Sequence, residues 1–274
     1  MEMPVDDPHA ITNGGARLPR PKEDRHFVTA LARGLDVLAC FRSGETTLGN
    51  QEIAQRCGLP KSTVSRLTST LKRLGYLVLL EDSGRYRLGT ATLALGSAML
   101  ARLDVRQVAR PLMQELAAFS GAMVSLGARD RLSMIYVENC RSAAALTLAL
   151  DVGSRIPVAS TAMGRAWVAA ADPAERRALL DQLQGVDPHA WPAVYAGIER
   201  AIDDVRHLGV ACSFGDWQQD VHAIARAFDP GGGLPPMSIN CGGPAFQLPR
   251  RFLLDEVRPR LIEAVARLEG RLAR

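Results

Sequence analysis

Long apolar runs are missing from this chain. Nothing in its 274 residues approaches the roughly 20 consecutive apolar residues that a membrane-spanning helix needs, so no membrane partner is expected. The opening MEMPVDDPHA is acidic and polar and lacks the basic and apolar regions of a signal peptide. Cysteine is sparse as well: Cys40, Cys57, Cys140, Cys212 and Cys241 are odd in number, scattered, and contain no C-x-x-C pair. A disulfide framework is thereby excluded, and a reducing, cytoplasmic setting is expected. The five histidines (His9, His26, His189, His207, His222) show no metal-ligand spacing, and G-x-S-x-G, H-E-x-x-H and P-loop motifs are absent. No enzyme, metal or cofactor is therefore expected. Cys212, Asp216 and His222 fall within eleven residues and could be drawn as a nucleophilic triad. Strand alternation does not bring the three together, and no oxyanion-hole motif accompanies them. The Gly231-Gly232-Gly233 run reads as a hairpin loop rather than a phosphate cradle, because it lies between two strands and not between strand and helix.

Lysine is scarce too, with three against thirty arginines. Hydrophobic residues at 47% and charged residues at 23% are those of a soluble globular chain. The net charge of +4 is unevenly spread, since residues 20–90 hold 12 Lys and Arg against 7 Asp and Glu. A basic N-terminal module joined to a near-neutral remainder points to a polyanion partner for the first part alone.

The first 22 residues contain four prolines and two glycines with few large apolar groups, which reads as a disordered tail over 1–22. FVTALARGLDVLACF (27–41) carries Leu31, Leu35, Leu38 and Phe41 at helical spacing. A short helix follows from about Asn50, its expected cap, to Cys57, with Ile53 and Ala54 inward. Gly58 suits the position after that helix, and Pro60 the first turn of the next. Residues 61–74 place Val64, Leu67, Leu71 and Leu74 on one stripe, with Ser62, Arg66, Ser69 and Arg73 about 180° away at 100° per residue. YLVLL and RYRLG then form a hairpin around Glu81-Asp82-Ser83-Gly84. Thr90–Leu103 reads as a connecting helix whose apolar content hints at a partner chain, and another helix covers about 104–119. Beyond it AMVSLGA, LSMIYVE, LTLAL, GVACSF, HAIARAF and PMSINCG read as strands. Helices are expected at about 161–170, 173–184, 194–208 and 250–272. That is an α+β pattern, an antiparallel sheet with flanking helices.

Helix, short helix, turn, helix, hairpin is the order of a winged helix-turn-helix. A recognition helix buries one face on its own domain and projects short polar and cationic groups into the major groove. Lys61, Ser62, Thr63, Ser65 and Arg66 sit at its front, where the helix N-terminus also favours anions. Arg66 has the length to reach guanine O6 and N7, a contact giving about 1–3 kcal/mol of discrimination. Arg85 and Arg87 lie on the wing, placed for the backbone or minor groove. The partner read from these residues is double-stranded DNA. An enzyme with a DNA-docking module would need a catalytic constellation, and a ligand-independent DNA-binding protein would leave the polar-lined strands of the second half without a purpose.

NQEIAQRCGLPKSTVSRLTSTLKRLGYLVLLEDSGRYRLG resembles the DNA-binding region of IclR-type bacterial transcriptional regulators. RIPVASTAMGRAWVAA and LGVACSFGDWQQDVHAIARAFDPGGGLPPMSINCGGP resemble the family's effector-binding half, so the likeness runs over about residues 25–270. The resemblance implies a winged helix-turn-helix over 23–89, a linker helix over 90–104, and an effector-binding domain of GAF/profilin-like fold over 105–274. It also implies a homodimer or dimer of dimers on pseudo-palindromic operators, with repressor slightly favoured over activator. For a small-molecule effector it points to Thr161, Ala162 and Met163, to Asp216 and His222, and to Asn240 and Gly242. Many members carry hydroxyl residues at the last two positions; Asn240 keeps hydrogen-bonding capacity and Gly242 loses it. Trp217 and Trp167 would add aromatic surface suited to a small aromatic or organic acid, with plain core as the alternative for Trp167 and Met163.

Overall fold

A computed structural model describes residues 26–41, 45–100, 104–142, 150–231 and 233–272. The expected tail over 1–22, most of the LTLAL strand, Leu103 and Gly232 lie outside them. The chain forms two compact units, one within Arg20–Gln107 and Ala149–Ser154, the other within Val108–Leu148 and Arg155–Arg274.

In the first unit, α1 (Thr29–Ala39), α2 (Asn50–Cys57) and α3 (Lys61–Arg73) precede the hairpin β1 (Leu77–Leu80) and β2 (Arg85–Leu88), with α4 (Thr90–Leu100) after it. Its core joins Val37, Leu48, Ile53, Val64, Leu71 and Leu77. Gly58 takes the expected left-handed conformation at the end of α2. Three expectations are corrected. Asn50 does not cap α2: Gly49 does, and the Glu52 carboxylate satisfies the Gly49 N–H at 2.7 Å. Leu74 is 61% exposed, because α3 ends at Arg73 and the stripe closes on Val64, Thr68 and Leu71 instead. Thr68 tolerates that burial because its hydroxyl donates to the Val64 carbonyl at 3.0 Å and meets the Tyr86 hydroxyl at 3.3 Å. In α1 only Val37 is buried, so the Leu31–Leu35 stripe faces outward.

The second unit is built on a six-stranded antiparallel sheet. Its strands are β3 (Met123–Asp130), β4 (Ser133–Arg141), β5 (Arg155–Pro157), β6 (Ala211–Phe214), β7 (Val221–Phe228) and β8 (Met237–Pro244), in the order β5-β4-β3-β8-β7-β6. Strand β5 had no sequence signal of its own, being three residues long. Helices α6 (Ala162–Ala170), α7 (Pro173–Val186) and α8 (Trp191–Leu208) follow β5, and α5 (Asp104–Ser120) precedes β3. The chain closes with α9 (Arg250–Phe252), a π turn and α10 (Arg258–Leu272).

Pairing of Met123 with Gly242, Ser125 with Asn240 and Ala223 with Gly242 puts these side chains on one face. Helix α6 packs on β7, β8, β6, β3 and β4. It comes close because Gly164 has no side chain: a Cβ there would lie 2.2 Å from the Val158 carbonyl oxygen. Trp167, fully buried, donates its indole N–H to the Pro236 carbonyl at 2.9 Å and carries Arg129 over its ring at 4.4 Å. Trp167 and Met163 are thus core, not ligand surface. Helix α10 packs on β7 and β8, with Leu261, Val265 and Leu268 buried.

Candidate nucleic-acid interface and ligand cavity

The front of α3 is exposed at Lys61, Ser62, Ser65 and Arg66, with Thr63 half-buried. Their backgrounds differ. Ser65 accepts from the Asn50 amide at 2.8 Å and donates to the Lys61 carbonyl at 3.0 Å, while Lys61 reaches Gln51 at 3.1 Å. These contacts orient α3 against α2. The Arg66 guanidinium has no hydrogen bond or ion pair among the described residues, so its donors stay available to a ligand. Pro60 has no N–H and precedes the first turn, whose unpaired amides favour an anion.

On the wing the two arginines separate. Arg87 is exposed. Arg85 is engaged inside the unit: its Nε and Nη2 donate to Thr47 at 2.9 and 3.0 Å, and Nη2 pairs with Glu52 at 2.8 Å. Leu48 and Tyr86 exchange backbone hydrogen bonds beside it. Arg85 therefore ties the wing to the start of α2, which strand alternation alone did not reveal. The Gly49 N–H, followed by Arg85, holds the Glu52 carboxyl below its ordinary pKa.

In the second unit the expected effector residues divide. Thr161, Ala162, Asn240 and Gly242 line one cavity, together with Tyr136, Trp217, Ser213 and apolar side chains including Met123 and Ile156. Its volume of about 20 Å³ is room for about one water molecule. No charged side chain lines it. Thr161 caps α6, accepting from the Gly164 N–H at 3.2 Å and donating to the Pro157 carbonyl at 2.6 Å. Ser213 donates to the Ser160 carbonyl at 2.9 Å. Burial pushes the Tyr136 phenol up, with Asn240 and Ser125 at its hydroxyl opposing that shift. Gly242 has no room for a hydroxyl side chain, since a Cβ would stand 2.8 Å from that of Ala223.

Met163, Asp216 and His222 are absent from the cavity lining. His222 points to the other face of β7, its Nδ1 at 2.9 Å from the Leu248 carbonyl and its ring edge-on to Phe214. Asp216 pairs with buried Arg165 at 2.9 Å and accepts from the Phe214 N–H at 3.3 Å. It holds the loop that presents Trp217. The triad geometry fails for the same reason: each member has a different partner. The Cys212 thiol, raised to about 12 by burial and then by Asp204, is no nucleophile. Tyr136, Ser213 and Ile156 were missed because a buried lining residue and a core residue obey the same period.

An exposed cationic helix front on a winged three-helix unit defines a DNA-binding regulator. Comparison with known proteins narrows the class. Residues 30–80 match the IclR helix-turn-helix domain, and residues 97–268 match the bacterial transcriptional regulator IclR C-terminal domain. The HTH-type transcriptional regulator TsaQ1/TsaQ2 of Comamonas testosteroni is 34% identical over 90% of this chain and 89% of its own length. A solved IclR family transcriptional regulator from Brucella abortus is 46% identical with a TM-score of 0.83, covering 93% of this chain and 96% of that one. An IclR homolog from Microbacterium hydrocarbonoxydans, solved with 4-hydroxybenzoate, is 23% identical with a TM-score of 0.70, covering 89% of this chain and 99% of that one. This chain belongs to the IclR family of bacterial transcriptional regulators.

Proposed function

We propose that the chain is a ligand-responsive repressor of a catabolic operon, with a small organic or aromatic acid as its effector. Residues 23–89 bind the operator, 90–104 link, and 105–274 sense. The observation that carries the reading is the cavity at the N-terminus of α6. It combines aromatic walls, no charged side chain, and the start of α6 at Thr161 and Ala162, where the Ala162 N–H has no intrahelical acceptor. A helix N-terminus of this kind suits a carboxylate. The 4-hydroxybenzoate in the Microbacterium relative belongs to that class. An aromatic acid is larger than the present cavity, so it enters by moving the Trp217 loop. Its differential affinity for the opened state is what can bias the arrangement of protomers and hence operator affinity.

On the DNA side the reading rests on Lys61, Ser62, Thr63, Ser65, Arg66 and Arg87, with Arg85 as the wing clamp. Self-association into a homodimer or dimer of dimers is supported by exposed apolar surface in the first unit: a stripe of Phe27, Leu31 and Leu35 on and before α1, and Leu93, Leu95 and Met99 distributed around α4. Selection of bound sequences from a random duplex pool, followed by titration at several salt concentrations, tests the function. A selected sequence bound at least about 10³-fold tighter than random duplex is expected. Equal affinity for both would overturn it.

A further inference from the structure

The Ser65 hydroxyl stands exposed at the front of α3, yet its hydrogen bonds are set from two sides. The Lys61 carbonyl, 3.0 Å from its Oγ, can only accept, so the single hydroxyl proton points there. Thr68 and Thr70 direct theirs the same way, to the Val64 and Arg66 carbonyls four residues back. With that proton committed, Ser65 can only accept from Asn50, which is half-buried at the start of α2 and 2.8 Å away. The Asn50 amide must then turn its NH2 toward α3, because the opposite orientation would set two acceptors against one proton. A hydroxyl has one donor and two lone pairs. Asn50 takes one lone pair, and the other is what Ser65 offers to a partner.

Phosphate oxygens, guanine O6 and N7, and thymine O4 are all acceptors and cannot pair with it. The donors of the major groove are the amino groups of adenine and cytosine. We infer that Asn50 is a positioning residue for recognition: it holds Ser65 as an acceptor, so that this position of α3 reads an adenine or cytosine amino group and not the phosphate backbone. Arg66, one residue on, brings donors alone, so the two neighbours read opposite halves of the hydrogen-bond code. The inference rests on the DNA-binding reading of α3 above and states which base chemistry one of its residues selects.

The test begins with duplexes selected by the full chain and by its Ser65→Ala variant, alanine being well tolerated on a helix. The base pair whose preference relaxes in Ser65→Ala is the one Ser65 meets. At that pair, purine in place of adenine, or 2-pyrimidinone in place of cytosine, removes the amino group. A 7-deazapurine removes a ring acceptor instead. Loss of the amino group should weaken the wild-type complex about 3- to 10-fold, the worth of one neutral hydrogen bond, and the 7-deaza duplex should bind as before. Ser65→Ala should be indifferent to the amino group. In Asn50→Ala the hydroxyl is free to turn outward and donate, so the amino penalty should shrink while the other base pairs keep their preferences and the salt slope holds. Preferences that relax together at every pair in Asn50→Ala would make it a packing residue and overturn its role. A 7-deaza penalty in place of the amino penalty makes Ser65 a donor and overturns the inference. So does a Ser65→Ala variant that relaxes no position, or that weakens on selected and random duplex alike, the mark of a phosphate contact. Should no sequence be selected at all, the DNA-binding reading fails as well; normal selection without an amino penalty sinks this inference alone.

Discussion

Helices α3 and α6 both bring an N-terminus to the business end of their unit, but their surroundings are opposite. The front of α3 is exposed, and the packing that holds it (Val64, Thr68, Leu71) is confined to the other face. In α6 the residues from Ala162 through Val168 are all buried, so binding surface and core are the same side chains. A unit that reads DNA can separate stability from recognition. A unit that encloses a small molecule cannot, because every wall of the cavity is also packing.

That contrast makes the following substitutions diagnostic, in order of expected effect. Gly164→Ala places a Cβ 2.2 Å from the Val158 carbonyl oxygen, backbone that cannot yield cheaply. It should destabilise the second unit by about 2–4 kcal/mol, read by denaturant unfolding; an unchanged midpoint would show that α6 has slack. Arg66→Ala should leave the melting temperature in place and weaken the selected operator by about 1–3 kcal/mol, with a smaller loss on random duplex. Equal weakening on both DNAs would make Arg66 a backbone contact. Arg85 and Arg87 then split the wing. Loss of the Thr47 and Glu52 contacts by Arg85→Ala should cost about 1 kcal/mol of stability. Arg87→Ala should leave stability alone and lower the salt slope of binding by about 1.

The smallest effect is with pH. Glu52 has a folded pKa below its ordinary value, first through the Gly49 N–H and then through Arg85. A carboxyl depressed in this way contributes stability above its unfolded pKa and loses it as pH falls through the folded one. Melting followed downward from about pH 5 should show a shallow loss that Glu52→Gln flattens. A parallel curve for that variant would remove Glu52 from the clamp.

The reading unit was largely legible because its signals are local. The 3.6-residue period, Gly58 and the Gly84 turn each dictate backbone within a few residues, and they placed α2, α3 and the hairpin. Its errors arose where a nearby partner outcompeted the rule: Gly49, its N–H held by Glu52, took the N-cap position assigned to Asn50, and Thr68 rather than Leu74 was buried. For the cavity the outcome followed strand alternation. Asn240 and Gly242 share the face that includes Met123, whereas His222, one residue from Ala223, falls on the other. Asp216 was marked for its charge, but the ion pair with Arg165 at 51 residues' separation is invisible to any local period. The sequence left Trp167 between ligand surface and core; it is buried, its indole N–H donating to the Pro236 carbonyl.

The central claim is that a ligand in the interior cavity changes what the exposed helix front binds. Titration of the selected operator with the full chain, with and without a saturating aromatic acid shown to bind, tests it most directly. The account predicts a change in operator affinity of about 5- to 150-fold, the usual range of coupling between sites, with random-duplex binding much less affected. Saturation of the cavity with operator affinity unmoved would contradict it.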